Sequence, residues 1–98
     1  MALHPACHVV KDYLAATFPR SVIKEFEWAA QQSWVFKVSG LHHTFQLLVS
    51  TKLLDQTPEY EIDRLLREWH VASRMRLAGR EWTLVTLHGV SLGVPEAL

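Results

Sequence analysis

The chain has 98 residues, 49% of them hydrophobic and 20% charged, which excludes a disordered tail and allows one globular core with little left for a second. Lys+Arg and Asp+Glu both number 10, so the basic excess on which a dedicated nucleic-acid binder relies is missing. Cys7 has no second cysteine to pair with, no secretory apolar region follows the N-terminus, and no apolar run approaches the ~18 residues that span a bilayer. A soluble, cytoplasmic protein with no membrane partner is expected.

The first predicted element is a helix over residues 5–17. Pro5 suits its first turn, and Cys7, Val10, Leu14 and Thr17 recur at helical spacing. Phe18-Pro19 ends it, because a residue before proline is pushed out of the α region. A strand over 21–28 follows. Alternation places Val22, Phe26 and Trp28 toward the core, with Lys24 misplaced among them, and Ile23, Glu25 and Glu27 outward.

Ala29 to Gln32 reads as a turn. In the second strand Trp34, Phe36 and Val38 alternate with the outward Val35 and Lys37. Ser39-Gly40 predicts a tight turn in which glycine supplies a positive φ. The third strand carries His43, Phe45, Leu47 and Val49 inward and His42, Thr44, Gln46 and Leu48 outward.

A second helix is predicted from Thr57 as cap and Pro58 as first helical residue, with Glu59, Glu61 and Asp63 at the positive end of the dipole. Ile62, Leu65, Leu66, Trp69 and Ala72 form its buried stripe. Arg74 and Arg76 lie near the negative end, and Gly79 follows as C′ residue. Residues 82–88 read as a last strand, with either Trp82 and Leu84 or Val85 and Leu87 facing out, and the tail as irregular. The chain is therefore expected to be one α+β domain over residues 1–98, with an ordered core over about 5–92. Its order is α-β-β-β-α-β, with two helices packed on one face of a mostly antiparallel four-stranded sheet.

Catalytic patterns are sparse. Gly89-Val90-Ser91-Leu92-Gly93 matches the G-x-S-x-G nucleophile elbow, but five residues remain after Gly93 and none is histidine, so no triad can be completed. His42 and His43 are adjacent on a predicted strand, where neighbouring side chains point to opposite faces. They cannot converge on one metal or one proton. His42 is read as a rim contact and His43 as structural.

Asp63, Arg67, His70 and Arg74 have the spacing of one helical stripe. With Arg64 they form a basic surface for phosphate or an acidic protein, or a solvated face whose i,i+4 ion pairs need no further purpose. His4, Cys7 and His8 share a helical face near a terminus that frays. After removal of Met1, the terminal Ala2-Leu3-His4 offers square-planar nitrogen ligation to copper(II). No closed metal site and no cofactor is expected.

The stretch Gly40-Leu41-His42-His43-Thr44-Phe45 resembles the glycine-serine-histidine segment of HicA-type mRNA interferases, with Leu41 in place of the serine. Those toxins have a double-stranded-RNA-binding-domain-like α-β-β-β-α fold. The resemblance implies RNA cleavage with His42 as the catalytic residue.

The residues themselves favour a non-enzymatic module that binds another protein or a second copy, as a regulator, adaptor or inhibitor. The chain holds four tryptophans, a residue favoured at interfaces, and polar side chains do not cover the predicted outer face. Val35, Leu48, Trp82 and Leu84, with His42 at the rim, are the expected contact set.

Overall fold

A computed structural model describes residues 4–93. The chain runs α1 (Cys7–Thr17), β1 (Val22–Trp28), β2 (Ser33–Ser39), β3 (Thr44–Ser50), α2 (Thr51–Gln56), α3 (Glu59–Glu68), α4 (Val71–Ala78), β4 (Trp82–Thr86) and β5 (Gly89–Leu92). The strands lie side by side in sequence order. Neighbouring pairs are antiparallel except β3 with β4, which is parallel and is joined by the helical crossover α2–α4. The α+β class and the expected order hold. The sheet has five strands where four were expected, because the tail read as irregular folds back. Gly89, at φ +116°, turns the chain so that Val90 lies opposite Val85.

The helical layer follows from where the apolar residues fall. In α1, Cys7, Val10, Tyr13 and Leu14 are buried. Tyr13 also ties the layer together, its hydroxyl accepting the Ala72 amide N–H at 3.1 Å, a donor at the start of α4 that would otherwise be orphaned. The single helix expected from Thr57 to Gly79 is divided. Thr57 ends α2 in an extended conformation. The also extended Pro58 precedes α3, its carbonyl accepting from Glu61 and Ile62. His70 then adopts a left-handed conformation, φ 51° and ψ 46°, and separates α3 from α4.

An unbroken helix over residues 59–78 would measure about 30 Å, the breadth of a molecule whose extents are 34 × 30 × 28 Å. The break at His70 folds it back over the sheet. Ile62, Leu66, Val71, Ala72 and Met75 all reach the core, while Leu65 and Trp69 are only partly buried against it. Gly79 closes α4 with φ +60°, a conformation that suits glycine.

The register assigns the faces. Ile23, Val38 and Phe45 lie across from one another, as do Glu25, Phe36 and Leu47, and Glu27, Trp34 and Val49. Val49 in turn lies beside Val85 of β4. This is the helix-covered side, because its apolar residues form one cluster with Val10, Leu14, Leu53, Ile62, Leu66 and Met75. The expected faces of β2 and β3 are correct. That of β1 is inverted: Ile23, Glu25 and Glu27 point to the helix side, and Val22, Lys24, Phe26 and Trp28 to the other. β1 is an edge strand where helical cover runs out. Beyond Ile23 its helix-side positions meet Lys11 of α1, whose Nζ lies 3.4 Å from Glu25 Oε1, and then solvent at the exposed Glu27.

Candidate functional site

The face without helices carries Val22, Lys24, Phe26 and Trp28 of β1, with Val35 and Lys37 of β2. Gln46 and Leu48 of β3 and Trp82 and Leu84 of β4 complete it. Two strands separate Trp28 from Trp82, yet their rings meet across the face with centroids 5.7 Å apart. The indoles reach over the middle of the sheet, and beneath them Val35 is 1% and Leu48 7% exposed, although neither belongs to the helix-side core. Phe26, half exposed, stands beside them. Phe26, Trp28, Trp82, Val35, Lys37 and Gln46 wall a shallow cavity of about 310 Å³.

The expected contact residues thus separate into two layers. Val35 and Leu48 form a floor with almost no exposed surface. Trp82 and Leu84 do face outward, and with Phe26 and Trp28 they supply the accessible apolar surface. Phe26 and Trp28 were missed as contacts because alternation alone sent them to the core. Their neighbour Lys24 was the available signal, since a lysine on the same side of a strand argues that the side meets solvent.

Lys24 and Lys37 lie directly opposite each other on this face. Like charges so placed are destabilising. Among the described residues neither pairs with a carboxylate, and the residues of β1 to β4 on this face include none.

The two histidines part company in the loop before β3. His42 is exposed. His43 turns to the helix side, stacking on Phe45 at 4.7 Å and 20° between planes and placing Nε2 3.1 Å from Ser21 Oγ. Gly40 is explained differently from the expectation. It is not among the positive-φ glycines; its amide donates to the His43 carbonyl at 2.8 Å. A Cβ at this position would collide with the His43 ring, so glycine is needed for close approach. In the segment that resembles the interferase motif, His42 therefore faces solvent, and no hydrogen bond links it to an acid or base among the described residues.

The arginine stripe is broken by the turn at His70. Arg64 donates through Nη2 to Glu61 at 2.7 Å and through Nη1 to Glu68 at 3.1 Å. The hydrogen bond it donates to Glu61 and the charges of both glutamates raise its pKa further. Arg67 Nε reaches Asp63 at 2.9 Å, and Arg74 Nε donates to the Trp69 carbonyl at 3.0 Å. Asp63 and Arg67 belong to α3 and Arg74 to α4, so the stripe does not run along one helix.

At the N-terminus, Ala2 and Leu3 of the expected copper site lie outside the described residues. His4 is engaged on both nitrogens, Nδ1 accepting from the Ala6 amide at 3.0 Å and Nε2 lying 2.5 Å from Asp55 Oδ1. His8 Nδ1 lies 2.6 Å from the Pro5 carbonyl. Burial pushes the Cys7 thiol up to about 11. His4, Cys7 and His8 line one cavity with Lys11 and Glu25, but among the described residues no group of three or more such side chains is placed to hold a metal ion. Ser91 lies on β5 opposite Leu84, on a strand and not at a strand-to-helix elbow. No helix of the described residues is long and apolar enough to cross a membrane. No protein-family model matches this chain, and neither a curated protein nor a solved structure matches it.

Proposed function

We propose that this chain is a small non-enzymatic interaction module of the cytoplasm, a regulator, adaptor or inhibitor, that docks another protein on the open face of its sheet. The supporting observation is the aromatic cluster Phe26, Trp28 and Trp82, which no helix covers. Aromatic residues grouped around a desolvated centre are what interface hot spots are built from. The charge on the face indicates the kind of partner. Lys24 and Lys37 call for carboxylates, which a second copy cannot bring on this face, so a distinct partner with an apolar anchor and an acidic rim fits better than a homodimer. The buried thiol of Cys7 suits a reducing compartment. RNA binding along the arginine stripe has less support, since Arg64 and Arg67 are already held by carboxylates.

The test is crosslinking in the native host from a photoreactive residue at position 26, followed by calorimetry on the purified pair. Phe26→Glu is expected to abolish binding, and Lys24→Glu with Lys37→Glu to weaken it most at low salt. Arg67→Glu should change nothing. Phe26-dependent self-association in light scattering, or RNA retention that Arg67→Glu removes, would replace this reading. Leu48→Glu is unsuitable as a probe, because a charge under the indoles would unfold the face.

A further inference from the structure

Arg64, Arg67 and Arg74 all donate to acceptors within the helical layer. Arg20, Arg76 and Arg80 do not: among the described residues no ion pair or side-chain hydrogen bond involves them. They line two adjoining cavities at the end of the sheet where β3 begins, of about 470 Å³ and about 450 Å³, which share His43 and Phe45 and together form a groove: Arg80 lines the first, Arg20 and Arg76 the second. The first is walled by the loop from Gly40 to Thr44, with His42, and by Arg80. The second is walled by Phe18, Pro19, Arg20 and Arg76. Among the described residues no carboxylate lines either.

Arg76 is held in place without using its hydrogen-bond donors. Its Cζ lies 4.9 Å from the centroid of Phe18, over the ring, a cation–π contact that leaves the N–H donors unpaired among the described residues. A purely structural account would have these arginines serve the carbonyl ends of α1 and α4. That role would show as arginine-to-carbonyl hydrogen bonds of the kind Arg74 makes, and none is present from Arg20, Arg76 or Arg80.

We infer that this groove binds a phosphate monoester of a sugar that also carries a planar ring, as in a nucleoside monophosphate. A monoester holds about −1.5 to −2 charges at pH 7 and three strong acceptor oxygens, which suits the unpaired guanidinium groups of Arg20 and Arg76 in one cavity, with Arg80 in the next, better than a single carboxylate does. The second cavity supplies flat, largely apolar walls for the ring: Phe18, the His43–Phe45 stack and the guanidinium plane of Arg76. Each cavity falls in the size range of small-molecule sites, about 300–1,000 Å³. The groove is distinct from the aromatic cluster of the open face, so either reading can fail alone.

The experiment is an NMR titration of the whole chain with adenosine monophosphate, ribose 5-phosphate, adenosine and inorganic phosphate. The nucleotide is expected to shift the Nε–H signals of Arg20, Arg76 and Arg80 and the amides of residues 41–44, saturably. Ribose 5-phosphate and adenosine should each bind at least about tenfold more weakly. Arg20→Gln and Arg80→Gln, both on exposed side chains, should each weaken the nucleotide by about tenfold with Tm unchanged, and Arg67→Gln should not. A 5′-phosphorylated tetranucleotide, compared with its unphosphorylated form, separates an RNA end from a free nucleotide as the source of the same chemistry. The inference is overturned if millimolar nucleotide gives no saturable shift, or if adenosine binds as well as its monophosphate. It is also overturned if the glutamine variants lower Tm and leave binding intact.

Discussion

Phe36 and Leu47 lie opposite each other on β2 and β3, both wholly buried, and one residue along the same strands Val35 and Leu48 lie opposite each other, almost as hidden. The first pair is covered by helices whose own stripes complete the core. The second is covered by two indoles that reach across from β1 and β4. The difference shows that low exposure has two meanings here. A helical layer can leave only when the protein unfolds, whereas a side-chain roof can rotate aside or be pressed down by whatever docks on it. The open face is hydrophobic twice over, in its floor and in its roof, and only the roof is available to a partner.

The sharpest way to break this contrast is truncation on each face. Phe36→Ala should cost roughly 3–5 kcal/mol in urea denaturation, as expected for a fully buried phenylalanine. Phe26→Ala, on a ring already half exposed, should cost less than about 1.5 kcal/mol; equal losses would mean that both faces belong to one core. Gly40→Ala comes next. Forcing a methyl against the His43 ring should cost about 1–3 kcal/mol, and His43→Ala in the same chain should recover part of it. Additive losses would show that the two residues do not meet.

The helix-covered face also has a defect. Thr83 is fully buried, and its hydroxyl finds no partner among the described residues. Thr83→Val keeps the shape and removes the orphan, so it should stabilise the protein by about 1 kcal/mol; a loss would mean that the hydroxyl is satisfied. The smallest effect is alkaline. The Cys7 thiol ordinarily titrates near 9.0 and is pushed up to about 11 by burial, so the folded state holds this proton more tightly than the unfolded one. Its contribution is intact below pH 9.0 and is lost as pH rises through about 11. Cys7→Ala should remove that part of the decline, seen as a smaller drop in Tm over the same window.

Much of this architecture was legible because helical and alternating periodicities are strong where one side is buried. Val10 and Leu14 mark the inner side of α1, and Phe36, Val38, Leu47 and Val49 fix the faces of β2 and β3. Legibility failed where burial is one-sided for other reasons. On β1, Val22, Phe26 and Trp28 look like core residues, yet a paired neighbour strand sets the register, and the helical layer ends before it covers the strand. The division at His70 carries no glycine or proline to announce it, because the shape of the whole layer selects it. Gly89 to Leu92 is too short and polar to read as a strand until β4 is there to pair with it. Of the candidate surface, alternation left open whether Trp82 and Leu84 or Val85 and Leu87 face outward, and the pairing of β4 with β3 decides for the first. The placing of Arg20 and Arg76 in one cavity, with Arg80 in the next, was not legible, because they come from α4 and from two separate loops and are brought near only by the fold.

The parallel junction between β3 and β4 has a consequence for how the chain acquires its structure. α1, β1, β2 and β3 can assemble through short hairpin connections, with contacts close in sequence. β4 can join only after the crossover helices have formed, which closes a loop of about 30 residues and delays its reward. β3 should therefore present an unpaired edge until late in folding, and this is the stage at which association with other unfinished chains is most favoured. Substitutions in β2 and β3 are expected to slow folding, while those in β4 and β5 should mainly speed unfolding.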